Sequence, residues 1–523
     1  MKQRILLPLI ALSTLLLAGA VNAKIVTTPV GIPCSSMFNY KGKAYFCADH
    51  PLYGKELHVA DGGRFTTKIV SDLDPGLGGS NPFGFFELRD HLYFFAETTA
   101  DGYALWRTDG SEQGTKRIRS ISQDFGVYPS PMQSLNGKRE TIVAELGGTV
   151  YFEGYATPQE MDWRAEPQLL FRTDGTAAGT VEIEDTRLVE GYISATSYWN
   201  RTSYQVHQGT LFYLSYGELH QVSGDYSIKV ADIPFDYGGS PTQFTNLILD
   251  NKMVLAADGE IWLSDGTPNG TVEMPDVEGP KPSTPIAVFN NKVLYQNSYY
   301  LDGTNLLRTV DPGPDPTLIE DTDGILNLIS EEGALLEGRL IFSNRGKTFT
   351  TDGTTNGTLS VNRTNINFPR QVGDTFFAFN DAYNPSKLVK FSPRSLSVNL
   401  IKAGLNESSM VGETTSGVLF TDNPSRYSTH LWVSDGTISG TRLIKRLSGT
   451  SYRMNGVHQE GGRAYMINLP NANGSARELW HSDGTSSGTY RLDFRYGDDE
   501  IPDDSAQRKV IPPVLDLLLD DED

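Results

Sequence analysis

The sequence predicts an all-β chain built from about ten copies of one four-stranded unit. Three observations carry that expectation. The first is a twelve-residue phrase that the 523-residue chain writes six times. The copies are LWRTDGSEQGTK from Leu105 to Lys116, LFRTDGTAAGTV from Leu170 to Val181 and IWLSDGTPNGTV from Ile261 to Val272. The others are TFTTDGTTNGTL from Thr348 to Leu359, LWVSDGTISGTR from Leu431 to Arg442 and LWHSDGTSSGTY from Leu479 to Tyr490. The second is the internal order of the phrase, a short apolar run, then Asp-Gly, Ser or Thr, and Gly-Thr. The third is a further apolar-aromatic stretch ahead of each copy. Repetition of a unit too small to bury its own core is the signature of a stacked or radial architecture.

Each element of the unit has its own reason. Leu-Trp-Arg-Thr and its counterparts are short and rich in aromatic residues, which suits a strand covered on both faces. Asp-Gly is a strong turn signal between antiparallel strands. Glycine supplies positive φ without steric cost, and the Asp carboxylate accepts hydrogen bonds from amides just ahead of it. Gly-Thr then leads into a second apolar run such as Arg442-Leu443-Ile444. Before each hairpin comes another strand, seen as LYFFA (Leu92 to Ala96), VYFEG (Val150 to Gly154), MVLAA (Met253 to Ala257) or VLFTD (Val418 to Asp422). A weaker apolar stretch precedes that one, for example Phe83 to Leu88.

Four degenerate units fill the gaps. They begin at Gly42, Leu211, Val293 and Phe376, and they keep the strand rhythm while losing most of the phrase. Four short antiparallel strands per unit describe a β-propeller blade, and ten units exceed the usual four to eight blades. One wide propeller, two smaller ones, and fewer blades with some of the hairpins belonging to other structure all satisfy the pattern.

The phrase resembles the ELW-x-x-DGT-x-x-GT repeat of secreted, propeller-like bacterial proteins, sometimes called hyalin-like. Glu478-Leu479-Trp480 through Asp483-Gly484-Thr485 and Gly488-Thr489 is the nearest copy, and the linker Asp72-Leu73-Asp74-Pro75-Gly76 resembles the connector between such repeats. The resemblance spans roughly Gly42 to Leu492. It implies the fold and an exported location, and no single activity.

The ends differ from the middle. Residues 1–23 read as a secretory signal peptide: Lys2 and Arg4, then an apolar run from Ile5 to Leu17, then small residues at Val21 and Ala23. That run is too short to span a bilayer comfortably. Residues 24–496 form the repeat domain. The last stretch, 497–523, is an acidic tail with Asp520-Asp521-Glu522-Asp523 at its end. The net charge of −20 argues against nucleic acid and anionic membrane as partners. The two cysteines, Cys34 and Cys47, suggest a disulfide in an exported chain.

Chemistry is less legible than architecture. Eight histidines are scattered without His-Glu-x-x-His or other metal spacing, and no Gly-x-Ser-x-Gly or phosphate-binding glycine loop occurs. The six repeated carboxylates are Asp109, Asp174, Asp265, Asp352, Asp435 and Asp483. They read as structural turn residues, because an active site needs a residue once and a turn needs it in every copy. Trp106, Trp262, Trp432 and Trp480 share one place in the phrase and read as packing between units. No cofactor is firmly implied. Ca²⁺ remains an option at Asp72-Leu73-Asp74 and at Glu320 to Gly324, although neither matches an EF-hand loop.

Function is expected where the repeat breaks. The unit holding Val150 carries an insertion from Tyr155 to Gln168 with Trp163 and Arg164, and its hairpin is followed by a connector with Tyr192, Tyr198, Trp199 and Tyr204. In a propeller these two segments share one face. Exposed aromatics beside polar residues suit a glycan or an extracellular protein ligand. A non-enzymatic binding protein is therefore the first expectation. A propeller-type glycan hydrolase or lyase with an axial site is the alternative.

Overall fold

The computed structural model describes residues 26–29, 37–50, 52–129, 142–155, 168–184, 186, 203–215, 217–234, 243–274, 283–289, 292–299, 304–310, 317–321, 327–328, 337–344, 347–362, 366–380, 386–425, 428–448, 455–460, 462–468 and 478–496. Residues 1–23, Cys34 and the tail 497–523 lie outside these. Two compact units divide the chain, 29–493 and the paired ends 1–28 with 494–523. Strand Val26–Pro29 pairs with strand Asp493–Tyr496, and Pro29 and Asp493 of these strands belong to the larger unit.

The larger unit holds ten antiparallel sheets, nine of four strands and one of five. They close in a ring as a β-propeller, and its blades are numbered here in chain order. Blade 1 covers residues 37–71, blade 2 83–120, blade 3 128–182, blade 4 203–232 and blade 5 243–273. Blade 6 covers 283–321, blade 7 327–362, blade 8 366–405, blade 9 409–448 and blade 10 455–491. In the four-stranded blades, strand order within the sheet follows the chain. The six full phrases fall in blades 2, 3, 5, 7, 9 and 10, and the four degenerate units are blades 1, 4, 6 and 8. Among the described residues the one helix is short, Ile121–Phe125, between blades 2 and 3. Ser120 caps its start and Gly126 ends it in the left-handed region.

First strands of neighbouring blades lie side by side, blade 4 with 5, 5 with 6, 8 with 9, 9 with 10, and 10 with 1. They form the inner wall. The register of the first strand against the second slips in seven blades, for example between Phe83 and Phe86, Asn367 and Arg370, and Met410 and Gly412. Such bulges bend and twist a strand, which suits one that must curve into a crowded centre. Central strands are buried on both faces, so they read as continuous apolar runs. Leu92 to Ala96 and Met253 to Ala257 are all under a tenth exposed.

The core sits between blades. Tyr45, Leu57 and Val59 of blade 1 pack on Leu92 and Phe94 of blade 2. Phe95 and Leu105 of blade 2 meet Phe152 and Phe171 of blade 3. Similar clusters join blades 3 and 4, 4 and 5, 5 and 6, 7 and 8, 8 and 9, and 9 and 10. Trp106, Trp262, Trp432 and Trp480 pack in four of these seams.

Candidate functional site

The repeated phrase folds the same way six times. In blade 9 the third strand ends at Ser434 and the fourth begins at Arg442. Asp435 Oδ1 accepts from the Thr437 amide at 2.9 Å and from its hydroxyl at 2.7 Å. The Gly440 amide donates to Thr437 Oγ1 at 2.9 Å, and the Thr441 hydroxyl donates to the Thr437 carbonyl at 2.6 Å. Ser434 Oγ accepts from the Gly436 amide at 3.2 Å and meets Thr441 Oγ1 at 2.7 Å. Asp109, Asp174, Asp265, Asp352 and Asp483 repeat the first two bonds on Ser111, Thr176, Thr267, Thr354 and Thr485.

Two glycines of the turn are dictated by geometry. Gly436 stands at φ 91, where only glycine is unstrained. Gly440 is needed for space, since a Cβ there would lie 2.1 Å from the Asp435 carboxylate. The hydrogen bonds from Thr437, side chain first, hold the Asp435 carboxyl below the usual range, and Asp109, Asp174 and Asp265 are lowered by the same bonding. Asp352 and Asp483 are lowered although burial works against them. These carboxylates are ionised acceptors already committed to their own loops.

The turn also docks its neighbour. Tyr93 of blade 2 donates to the Gly175 carbonyl of blade 3 at 3.2 Å. A Cβ on Gly110 of blade 2 would meet the Tyr45 hydroxyl of blade 1 at 2.3 Å, and one on Gly266 of blade 5 would meet the Phe212 ring of blade 4 at 2.6 Å. Phe377 of blade 8 lies 3.5 Å from the same place on Gly436. An aromatic on the second strand of one blade thus presses under the Asp-Gly turn of the next.

The opposite face carries the blade connectors. On blade 1, Glu56 is fully buried and gathers the connector to blade 2, accepting from the Asp74 and Ser80 amides at 3.1 and 3.0 Å and from the Ser80 hydroxyl at 2.5 Å. Burial pushes its carboxyl up to about 7 against those bonds. Asp74 in turn accepts from the Thr99 amide and hydroxyl of blade 2 at 2.8 and 3.1 Å. Among the described residues no group of three or more His, Cys, Asp or Glu is placed to hold a metal ion. Residues 322–324 lie outside the described set.

Blade 3 departs from the rest on that same face. It is the five-stranded blade. Its extra strand, Tyr128–Pro129, pairs with Tyr155 and Gly154, where the insertion begins. Second and third strands run together to the pair Tyr155 and Gln168, so the insertion leaves from the end of that ladder. The first strand of blade 4 starts at Ser203, opposite Leu214 at the corresponding end. Trp163, Arg164, Tyr192, Tyr198 and Trp199 lie outside the described residues. Tyr204 is half-buried in the seam of blades 3 and 4, and its hydroxyl donates to the buried Glu153 of blade 3. It anchors the base of the connector.

No family model matches the chain, and no curated protein matches it. Among solved structures it is similar to the tricorn protease at 12% identity and TM-score 0.23, over 90% of this chain and 44% of that one. It is similar to a Mycobacterium tuberculosis puromycin-hydrolyzing peptidase at 12% identity and TM-score 0.30, over 62% and 56%. A eukaryotic initiation factor gives 12% identity and TM-score 0.42, over 73% and 95%. The chain spans about half the length of the first two. Fold and site together define a β-propeller repeat protein whose phrase residues bond within their own turns.

Proposed function

We propose that the chain is an exported binding protein that presents the irregular loops of blade 3 and of the blade 3 to blade 4 connector to a glycan or an extracellular protein ligand. The observation that carries this reading is the departure of blade 3 from nine regular neighbours at the place where the insertion begins. The added strand stiffens the base of that loop, and the Glu153 to Tyr204 bond ties it to the base of the connector. A rigid scaffold with variable loops is where recognition concentrates. Trp163, Arg164, Tyr192, Tyr198 and Trp199 are the proposed contacts. Retention of the full chain on a panel of immobilised polysaccharides and extracellular proteins, with the panel uncleaved, supports the reading. Release of oligosaccharides would replace it with an enzyme.

Export and membership of the ELW-x-x-DGT family belong to the same proposal. Support comes from the signal-like segment 1–23 and from the cysteines. Cys47 is buried in the second strand of blade 1, and no described cysteine is a free thiol. A Cys34–Cys47 bond would staple the segment ahead of blade 1 to that strand. Non-reducing peptide mass spectrometry of the secreted protein should find Lys24 at the N-terminus and the two cysteine peptides linked. Two alkylatable thiols would remove the bond from the account.

A further inference from the structure

The ring closes between blade 10 and blade 1, and buried histidines sit at that seam. His481, on the third strand of blade 10, is 3% exposed. Its ring lies between Tyr465 at 5.3 Å and Tyr490 at 5.1 Å. Nδ1 meets the Gly488 carbonyl at 3.1 Å, while Nε2 is buried and makes no hydrogen bond. Leu263 and Val433 hold the corresponding place in blades 5 and 9, so the repeat itself requires no titratable group there. Across the seam is the Gly62 turn of blade 1. A Cβ on Gly62 would lie 3.5 Å from His481 Nε2 and 2.8 Å from Arg463 Nη1.

Blade 1 presents histidine to the same seam. Tyr45, Leu57 and Val59 face blade 2. Side chains alternate along a strand, so Phe46 and His58 face blade 10. His58 stands where blades 2, 5, 9 and 10 have tryptophan. It is fully buried, and its ring stacks on His50 at 5.6 Å.

Polar contacts cross from blade 1 to blade 10 and to the residues just after it. Arg64 pairs with Asp493 at 3.1 Å, and the Asp493 amide donates to the Arg64 carbonyl at 3.1 Å. Arg463 Nη1 donates to the Asp61 carbonyl at 3.3 Å, and the Tyr490 hydroxyl donates to the Gly62 carbonyl.

We propose that this closure seam is an acid-sensitive latch, in which protonation of His481, His50 and His58 loosens blades 1 and 10 from each other before the other seams open. A proton on His481 Nε2 is added to a buried ring with no acceptor there. Among the described residues, Arg463, Asp483, Tyr465 and Tyr490 of blade 10 surround it, and Asp61 of blade 1 lies beside Arg463 and Tyr490. Glu56 and Tyr53 lie around His58 and His50. Burial holds all three histidines below the ordinary value of 6.5, His50 at about 4 and His58 at about 3. A histidine depressed in the folded state contributes stability that is complete above its unfolded value and is lost as pH falls from there towards the folded value. The window opens below 6.5. Glu56, raised to about 7, titrates in the opposite sense, its contribution being lost as pH rises.

The test is hydrogen exchange of the full chain between about pH 7.5 and about pH 5, corrected for the intrinsic pH dependence of exchange. Peptides from 56–66 and 478–493 are compared with peptides from 244–266 in blade 5. Acid should raise exchange in the closure peptides by about tenfold relative to blade 5, the factor set by one pKa unit. His481→Leu, whose side chain has precedent at Leu263, should lower that rise measurably and leave the part that His50 and His58 carry, and Glu56→Gln should steepen it. If His481→Leu fails to fold, the contrast between the two peptide sets in the unaltered protein decides alone. Equal rises in both sets, no rise in either, or an unchanged rise in a folded His481→Leu would overturn the latch.

Discussion

At the scale of single residues the phrase explains itself, and Asp435 with Gly440 shows how. The carboxylate fills the space that a Cβ on Gly440 would need, so the two positions depend on each other. Gly440→Ala should destabilise by about 1 to 3 kcal/mol through that clash, and Asp435→Ala by about 1 kcal/mol through lost hydrogen bonds. The double variant should cost less than the sum by at least about 0.5 kcal/mol, because removing the carboxylate makes room for the new methyl. Urea unfolding of the four proteins measures this, and simple additivity would refute the dependence. The Asp and the glycines were legible in the sequence because they never vary among the full copies. The Ser or Thr just before each Asp was equally constant, at Thr108, Thr173, Ser264, Thr351, Ser434 and Ser482, and only the structure gives it a role. A hydroxyl that satisfies an amide two residues on and a hydroxyl seven residues on leaves no mark beyond its own recurrence.

At the scale of elements the turn is a joint between blades as well as a loop within one. Gly266 stands at φ 88 with the Phe212 ring of blade 4 beneath it. Gly266→Val should therefore cost about 1 to 3 kcal/mol from the backbone alone. The added bulk should also loosen the seam of blades 4 and 5, so exchange protection should fall on both sides of it. Loss confined to the 264–271 loop would mean that the ring contact is incidental. Strand positions were readable from apolar runs such as Met253 to Ala257. The bulges of the inner strands were not, because they answer to the curvature of the ring and to neighbours that sequence order does not reveal. Tyr204 illustrates the same limit. An aromatic in an irregular connector reads as exposed, yet it is half-buried against blade 4 and bonded to Glu153 of the neighbouring blade.

At the scale of the whole molecule, ten sheets close one ring, and the two faces divide the labour. One face carries the Asp-Gly-Thr turns, whose donors and acceptors bond within their own loops and to the preceding blade. The other carries connectors such as 72–80 and the irregular blade 3. The number of blades was countable in the sequence, whereas closure into a single ring depends on contacts between the first and last units, such as Arg64 with Asp493. The proposed binding face was marked in the sequence only as the place where repetition fails. The most direct test of the account compares two sets of variants for both melting temperature and binding to the immobilised panel. Asp435→Ala should lower the melting temperature and leave binding unchanged. Trp163→Ala and Trp199→Ala should leave the melting temperature unchanged and each weaken binding by more than about 1 kcal/mol. The reverse pattern, with stability lost in the tryptophan variants and binding lost with the turn carboxylate, would contradict the account.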